Sequence, residues 1–135
     1  MWERLAEFRD ALNRHAAIFD PALLSAEQAA LAVTEAAAIE RLAATMKGLA
    51  AARSAATGVW RAAGERSAAH HLARATGTSI GQTTDGLETA GRLEKLPETA
   101  AAARAGALSA TQAAAVTDAA LLDPRPRRAW WPWRS

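Results

Sequence analysis

The sequence predicts an all-α fold of about five helices, with one long central helix and a helix-turn-helix-like hairpin. Three observations carry this. Apolar residues recur at three- and four-residue steps, and no stretch alternates as a strand does. Ser precedes Gln by three residues at Ser25/Gln28, Ser79/Gln82 and Ser109/Gln112, which is the capping-box spacing. Of the 135 residues 50% are hydrophobic, and most of these are Ala, the strongest helix former.

Each element follows in turn. Trp2, Leu5, Phe8 or Arg9, Leu12, Ala16 and Phe19 stand at three- and four-residue steps along one apolar stripe, predicting a helix over 2–18. Asp20-Pro21 ends it, because Pro21 lacks a backbone donor and Asp20 suits a cap. Ser25 and Gln28 open the long helix. Leu31, Glu35, Ala38 or Ile39, Leu42, Met46, Leu49, Arg53 and Ala56 then repeat at close to the coiled-coil spacing, to about Thr57. Gly58 and Gly64 bracket "VWRAA", predicted as a connection around a buried Trp60. Ala68, His71, Leu72 and Ala75 share a helix face that stops at Gly77, where the chain is expected to turn left-handed. Ser79 and Gln82 cap a helix running through Leu87, Ala90 and Leu93 to Lys95, weakened by Gly81, Gly86 and Gly91. Pro97 begins a short helix to Arg104 that Gly106 closes. Ser109 caps the last, which carries Ala113, Val116, Ala120 and Leu121.

With two Phe and no Tyr, the core is expected to be thin and closely approached across Ala. Its predicted members are Leu31, Ile39, Leu42, Met46, Leu49, Trp60, Leu72, Leu87, Leu93, Leu96, Leu108 and Val116. The absence of Cys excludes disulfides, thiolate metal sites and Cys nucleophiles, and suits a reducing compartment. Charged residues interrupt every Ala-rich stretch, so no membrane span is expected. The opening "MWERLAEFRD" is too charged for a signal peptide, and the expected location is cytoplasmic.

The net charge of +2 is misleading as a sum. Residues 124–135 hold Arg125, Arg127, Arg128 and Arg134 with no acid, leaving 12 bases against 14 acids in residues 1–123. The expected organisation is therefore a helical domain over 1–123 followed by a disordered Arg/Trp/Pro tail over 124–135. Duplex binders carry a basic stripe, and the totals for the body provide none.

Three phrases, "FDPALLSAEQA", "AIERLAATMKGLAAARSAATGVWRAAGERSAAHHLARATGTSIGQ" and "LETAGRLEKLPETAAAARAGALSATQAAAV", stand in an order and spacing that resemble the domain of unknown function 222 family (DUF222, also called the 13E12 repeat family), common in actinobacteria. The resemblance covers roughly residues 2–122. It implies a helical accessory domain that in relatives precedes a His-Asn-His (HNH) endonuclease module. Family members usually have an aromatic residue, often Trp, where this chain has His71. An HNH site needs His and Asn residues around a divalent metal, often beside zinc-binding Cys pairs. This sequence offers His15, His70, His71, Asn13 and no Cys. The nuclease motif is thus absent, and the expectation is a truncated or stand-alone copy that is not an enzyme, with no catalytic, cofactor or metal residues.

The segment over 65–93 poses the DNA question directly. Leu72, Ala73 and Gly77 sit where a helix-turn-helix places its apolar contact, small residue and turn glycine. The following helix opposes Asp85, Glu88 and Glu94 to Arg92 and Lys95, so base contact would fall to Gln82, Thr83 and Thr84 near its start. The candidate DNA contacts are Gln82, Thr83, Thr84, Arg92, Lys95 and the tail residues Arg125, Arg127 and Arg128. Adjacent helical residues diverge by about 100°, so His70 and His71 do not converge on one ion. His71 is expected to fill the aromatic slot, with His70 solvated. "TGTSIG" lacks the Lys and the preceding strand of a phosphate loop. In the tail, Trp130, Trp131 and Trp133 beside Arg could stack on bases or settle at a membrane interface, while a frameshifted or prematurely ended GC-rich gene would give the same residue types.

The expected function is a non-catalytic helical accessory domain, with weak DNA association as one role. The alternative is protein–protein contact or self-association through Leu42, Met46 and Leu49, since a thin core gains from burying that stripe against a partner.

Overall fold

A computed structural model describes residues 1–122. The tail, with the candidate contacts Arg125, Arg127 and Arg128, lies outside the described residues. The order is α1 (Trp2–Ile18), a 3-10 turn (Pro21–Leu23), α2 (Ala26–Thr57), α3 (Val59–Ala62), α4 (Ala68–Thr76), α5 (Ile80–Leu93), α6 (Pro97–Arg104) and α7 (Ala110–Leu122). The all-α expectation holds for the described residues, but the helices number seven rather than about five. One short element was not expected as a helix: Gly58 at φ 71° and Gly64 at φ 77° isolate one full helical turn over Val59–Ala62. The short helix expected from Pro97 to Arg104 is α6. Helix α5 also stops at Leu93, short of Lys95.

The chain divides into two compact units, Met1–Glu35 and Ala36 onward. In the first, α1 keeps its apolar stripe, yet none of its residues is buried. His15 meets Phe19 edge-on with ring centroids 5.8 Å apart. Asp20 accepts from the Ala22 N–H at 3.0 Å and opens the 3-10 turn. Ser25 and Gln28 form the expected box at the start of α2: the Gln28 N–H donates to Ser25 Oγ and the Ser25 N–H to Gln28 Oε1.

The second unit holds the core. Helix α5 packs on both α4 and α7, with α6 against α7. Gly77 ends α4 at φ 69°, and the Thr78 N–H reaches back to the Ala73 carbonyl at 3.1 Å. Ser79 and Gln82 cap α5, and Ser109 and Gln112 cap the segment entering α7. The buried residues are Ala73, Ala90, Leu93, Leu96, Thr99, Ala103, Gly106, Leu108, Ala113 and Thr117. Thr117 is tolerated there because its hydroxyl donates within its own helix, to Ala113 O at 2.8 Å.

Leu93, Leu96 and Leu108 are buried as expected. The long-helix members are not: Leu31 is 60% exposed, Ile39 42%, Leu42 38% and Met46 41%. Leu49, Leu72, Leu87, Val116 and Trp60 are half-buried, so Trp60 is not the enclosed residue its bracketing glycines suggested. Coiled-coil spacing identifies an apolar seam but says nothing about which partner covers it. Here α4, α5, α6 and α7 pack among themselves.

Candidate functional site

The relevant geometry lies along the part of α2 in the second unit, residues 36–57. Its inward face is almost entirely small: Ala44, Gly48, Ala51 and Ala52. Ala cannot reach far, so grooves remain beside the helix. One of about 500 Å³ runs between α2, α5 and α7, with Leu49, Leu87 and Ala113 among its walls. A second of about 300 Å³ lies towards α6.

Polar side chains fix α2 where apolar packing is sparse. Arg41 Nε donates to the Gly106 carbonyl at 2.6 Å, and Thr45 Oγ1 donates to the Ala103 carbonyl at 3.0 Å. Ala103 lies in the last turn of α6 and Gly106 just past it, where the helix dipole favours a cation; the Ala103 carbonyl also accepts from the Gly106 N–H at 3.1 Å. Gly106 is buried at φ 77°, and a Cβ built on it would lie 3.2 Å from Leu42 Cδ2. Sequence analysis missed this pair of anchors. The available signal was an Arg and a Thr four residues apart on one face of an otherwise small-sided helix.

The outward face differs. Ile39, Leu42, Met46 and Leu49 succeed one another at steps of three, four and three, flanked by exposed Ala36, Ala43 and Ala50. Glu35 precedes this run by one turn and Arg53 follows it by one turn, both exposed. The anchored and apolar faces adjoin: Leu42 lies against Gly106 beside the Arg41 contact, and Leu49, half-buried, walls the groove towards α5.

The candidate DNA contacts fall elsewhere, on α5 and just beyond it. Gln82 is occupied in the cap, its N–H donating to Ser79 Oγ at 3.0 Å and its Oε1 facing the Ser79 N–H. Thr83 Oγ1 donates to the Ser79 carbonyl at 3.0 Å and lies 3.1 Å from Thr78 Oγ1. Thr84 Oγ1 donates to the Ile80 carbonyl at 2.8 Å. Arg92, which is half-buried, stands 3.8 Å from both Glu88 and Asp118, joining α5 to α7. Lys95 is exposed past the end of α5. Gln82, Thr83 and Thr84 thus cluster in the first turn of α5, while Arg92 and Lys95 lie at its far end.

His70 departs from expectation: it is half-buried, with Nδ1 2.6 Å from Ser67 Oγ, so it completes the α4 cap. His71 is also half-buried. Glu65, largely enclosed, pairs with Arg74 at 3.1 Å and ties the segment after α3 to α4. Among the described residues, no group of three or more His, Asp or Glu could hold a metal ion, and no helix is long and apolar enough to cross a membrane.

These features define an all-helical, Ala-rich domain whose polar groups serve mainly as caps and anchors. A family model described as "Domain of unknown function (DUF222)" matches residues 28–129, well over half of the chain. The chain belongs to the DUF222 family. No curated protein and no solved structure matches it.

Proposed function

We propose that this chain is a non-catalytic helical accessory module that works through protein–protein contact, with the outward face of α2 as its docking surface. The observation that carries the reading is that Ile39, Leu42 and Met46 of α2 stay exposed beside the face that Arg41 and Thr45 tether to α6. A uniformly polar helix would need no partner, whereas an exposed apolar stripe of this kind marks an interaction site. The resemblance to proteins that carry an HNH module adds an accessory role beside a nuclease.

Duplex binding by the α4–α5 hairpin is a second reading, favoured by the left-handed turn at Gly77 between two packed helices. Against it stand the local hydrogen bonds of Thr83 and Thr84 and the acidic neighbours of Arg92. Fluorescence anisotropy of labelled duplex DNA separates the readings, using the full chain, an Arg92→Gln/Lys95→Gln variant and an Arg125→Gln/Arg127→Gln/Arg128→Gln variant at low and high salt. The protein-contact reading expects the Arg92/Lys95 variant to behave as the parent does. Salt-sensitive binding lost in that variant would overturn it.

A further inference from the structure

The smaller groove, of about 300 Å³, lies wholly within the second unit, between α2, α5 and α6. Each of these helices lines it with the same local pattern, an inward residue followed directly by a charged one. The pairs are Ala52-Arg53 on α2, Leu93-Glu94 at the end of α5 and Ala103-Arg104 at the end of α6. Adjacent helical residues point about 100° apart, so the first member of each pair faces the floor and the second stands at the rim. Leu93 and Ala103 are buried and Ala52 is half-buried, whereas Arg53, Glu94 and Arg104 are exposed. Leu49 and Ala90 extend the floor. Thr45 reaches it too, with its hydroxyl already given to the Ala103 carbonyl.

The rim charges are unspent. Elsewhere in this unit Arg41 is engaged by a carbonyl, Arg61 by the Trp60 ring, and Arg74 and Arg92 by carboxylates. The side chains of Arg53, Glu94 and Arg104 pair neither with one another nor with any other of the described residues. Two guanidinium groups and one carboxylate therefore leave one positive charge in excess above an apolar floor. The geometry points to a binding site for a small carboxylate with an apolar body, its charged end held at Arg53 and Arg104 and its hydrocarbon laid against Leu49, Leu93 and Ala103. Arg pairs with a carboxylate through two parallel bonds. Glu94 sets the charge of the ligand: a phosphate monoester would bring nearly two negative charges towards it, and a neutral alcohol would leave both guanidinium groups unpaired. At about 30 Å³ for each water-sized group, the cavity admits about ten non-hydrogen atoms, the size of octanoate. The inference goes beyond the protein-contact reading and does not depend on it, because Ile39, Leu42 and Met46 lie outside this cavity.

Titration of the full-length protein with sodium octanoate, followed by calorimetry and amide NMR shifts, tests the site. Saturable binding is expected with a Kd of about 1 mM or tighter. Arg53→Gln/Arg104→Gln should weaken octanoate about tenfold or more while leaving the weaker binding of octanol unchanged. Glu94→Gln should tighten octanoate and narrow its advantage over octyl phosphate. Ala52→Leu fills the floor and should abolish binding; Ala56→Leu, at an exposed position of the same wall, does so from the rim and serves if the first variant fails to fold. Octanol that binds the parent as tightly as octanoate overturns the anion assignment, and octyl phosphate that binds it more tightly overturns the single charge. Octanoate that does not saturate, or that binds the leucine variants as it binds the parent, overturns the site.

Discussion

Arg41 Nε donates to the carbonyl oxygen of Gly106 across 2.6 Å, joining residues 65 positions apart in sequence. A charged donor on a carbonyl is among the stronger hydrogen bonds, and this one is partly shielded from water. Arg41→Ala is therefore expected to destabilise the second unit by about 1.5–3 kcal/mol. Urea denaturation followed by helix content measures this. A cost indistinguishable from zero would mean that the bond does not hold α2.

Thr45 makes the companion contact to Ala103 O. Because the two anchors grip the same end of α6, they should be coupled. Loss of one loosens the helix and lowers what the other contributes. A double-mutant cycle of Arg41→Ala and Thr45→Val should show an interaction energy of about 0.5 kcal/mol or more, and simple additivity would argue for independent surface contacts.

Two glycines should respond in opposite directions. Gly106 is buried at φ 77° with Leu42 against it, so Gly106→Ala meets both a left-handed backbone penalty and a close contact. The expected loss is about 1–2 kcal/mol from the backbone conformation alone. Gly91 is helical and exposed, with nothing within 4 Å of a built Cβ. There, Gly91→Ala should add about 0.5–1 kcal/mol. Thermal melts of the two variants should move to opposite sides of the parent.

The location of the core can be tested by truncating leucines. Leu96 and Leu108 are each 1% exposed, and replacement by Ala should cost about 2–5 kcal/mol. Leu31→Ala, at a 60% exposed site, should change stability by less than about 0.5 kcal/mol. Equal losses at all three would return the core to the long helix.

Caps and breaks were the most legible features in the sequence. Ser25, Ser79 and Ser109 each precede a Gln by three residues, and Pro21, Gly77, Pro97 and Gly106 stand at element ends, all through chemistry local to a few residues. The single turn over Val59–Ala62 escaped because four residues are too few to show a period. Burial along α2 was less legible for a different reason: heptad spacing shows that Ile39, Leu42 and Met46 share a face, but not what meets it. The Arg41 and Thr45 anchors depend on α6 ending opposite them, a relationship between segments about 60 residues apart, carried by main-chain acceptors that have no signature in the sequence. Among the candidate DNA contacts, the residue types of Thr83 and Thr84 were suitable, but their hydroxyls bond to carbonyls one turn back, a common alternative for Thr in a helix.

The fastening of α2 to α6 uses oxygens that every amino acid possesses. Substitution at Ala103 leaves its carbonyl in place, provided the new side chain fits, and the same holds for the alanines around it. Gly106 is constrained by its φ, and Thr99 and Ala103 by burial. Drift through mutation can therefore rewrite the exposed positions of α6, such as Ala101, while Arg41 and Thr45 retain their grip, so tolerance to sequence change should be high on that face and should fall sharply at the glycine beyond it.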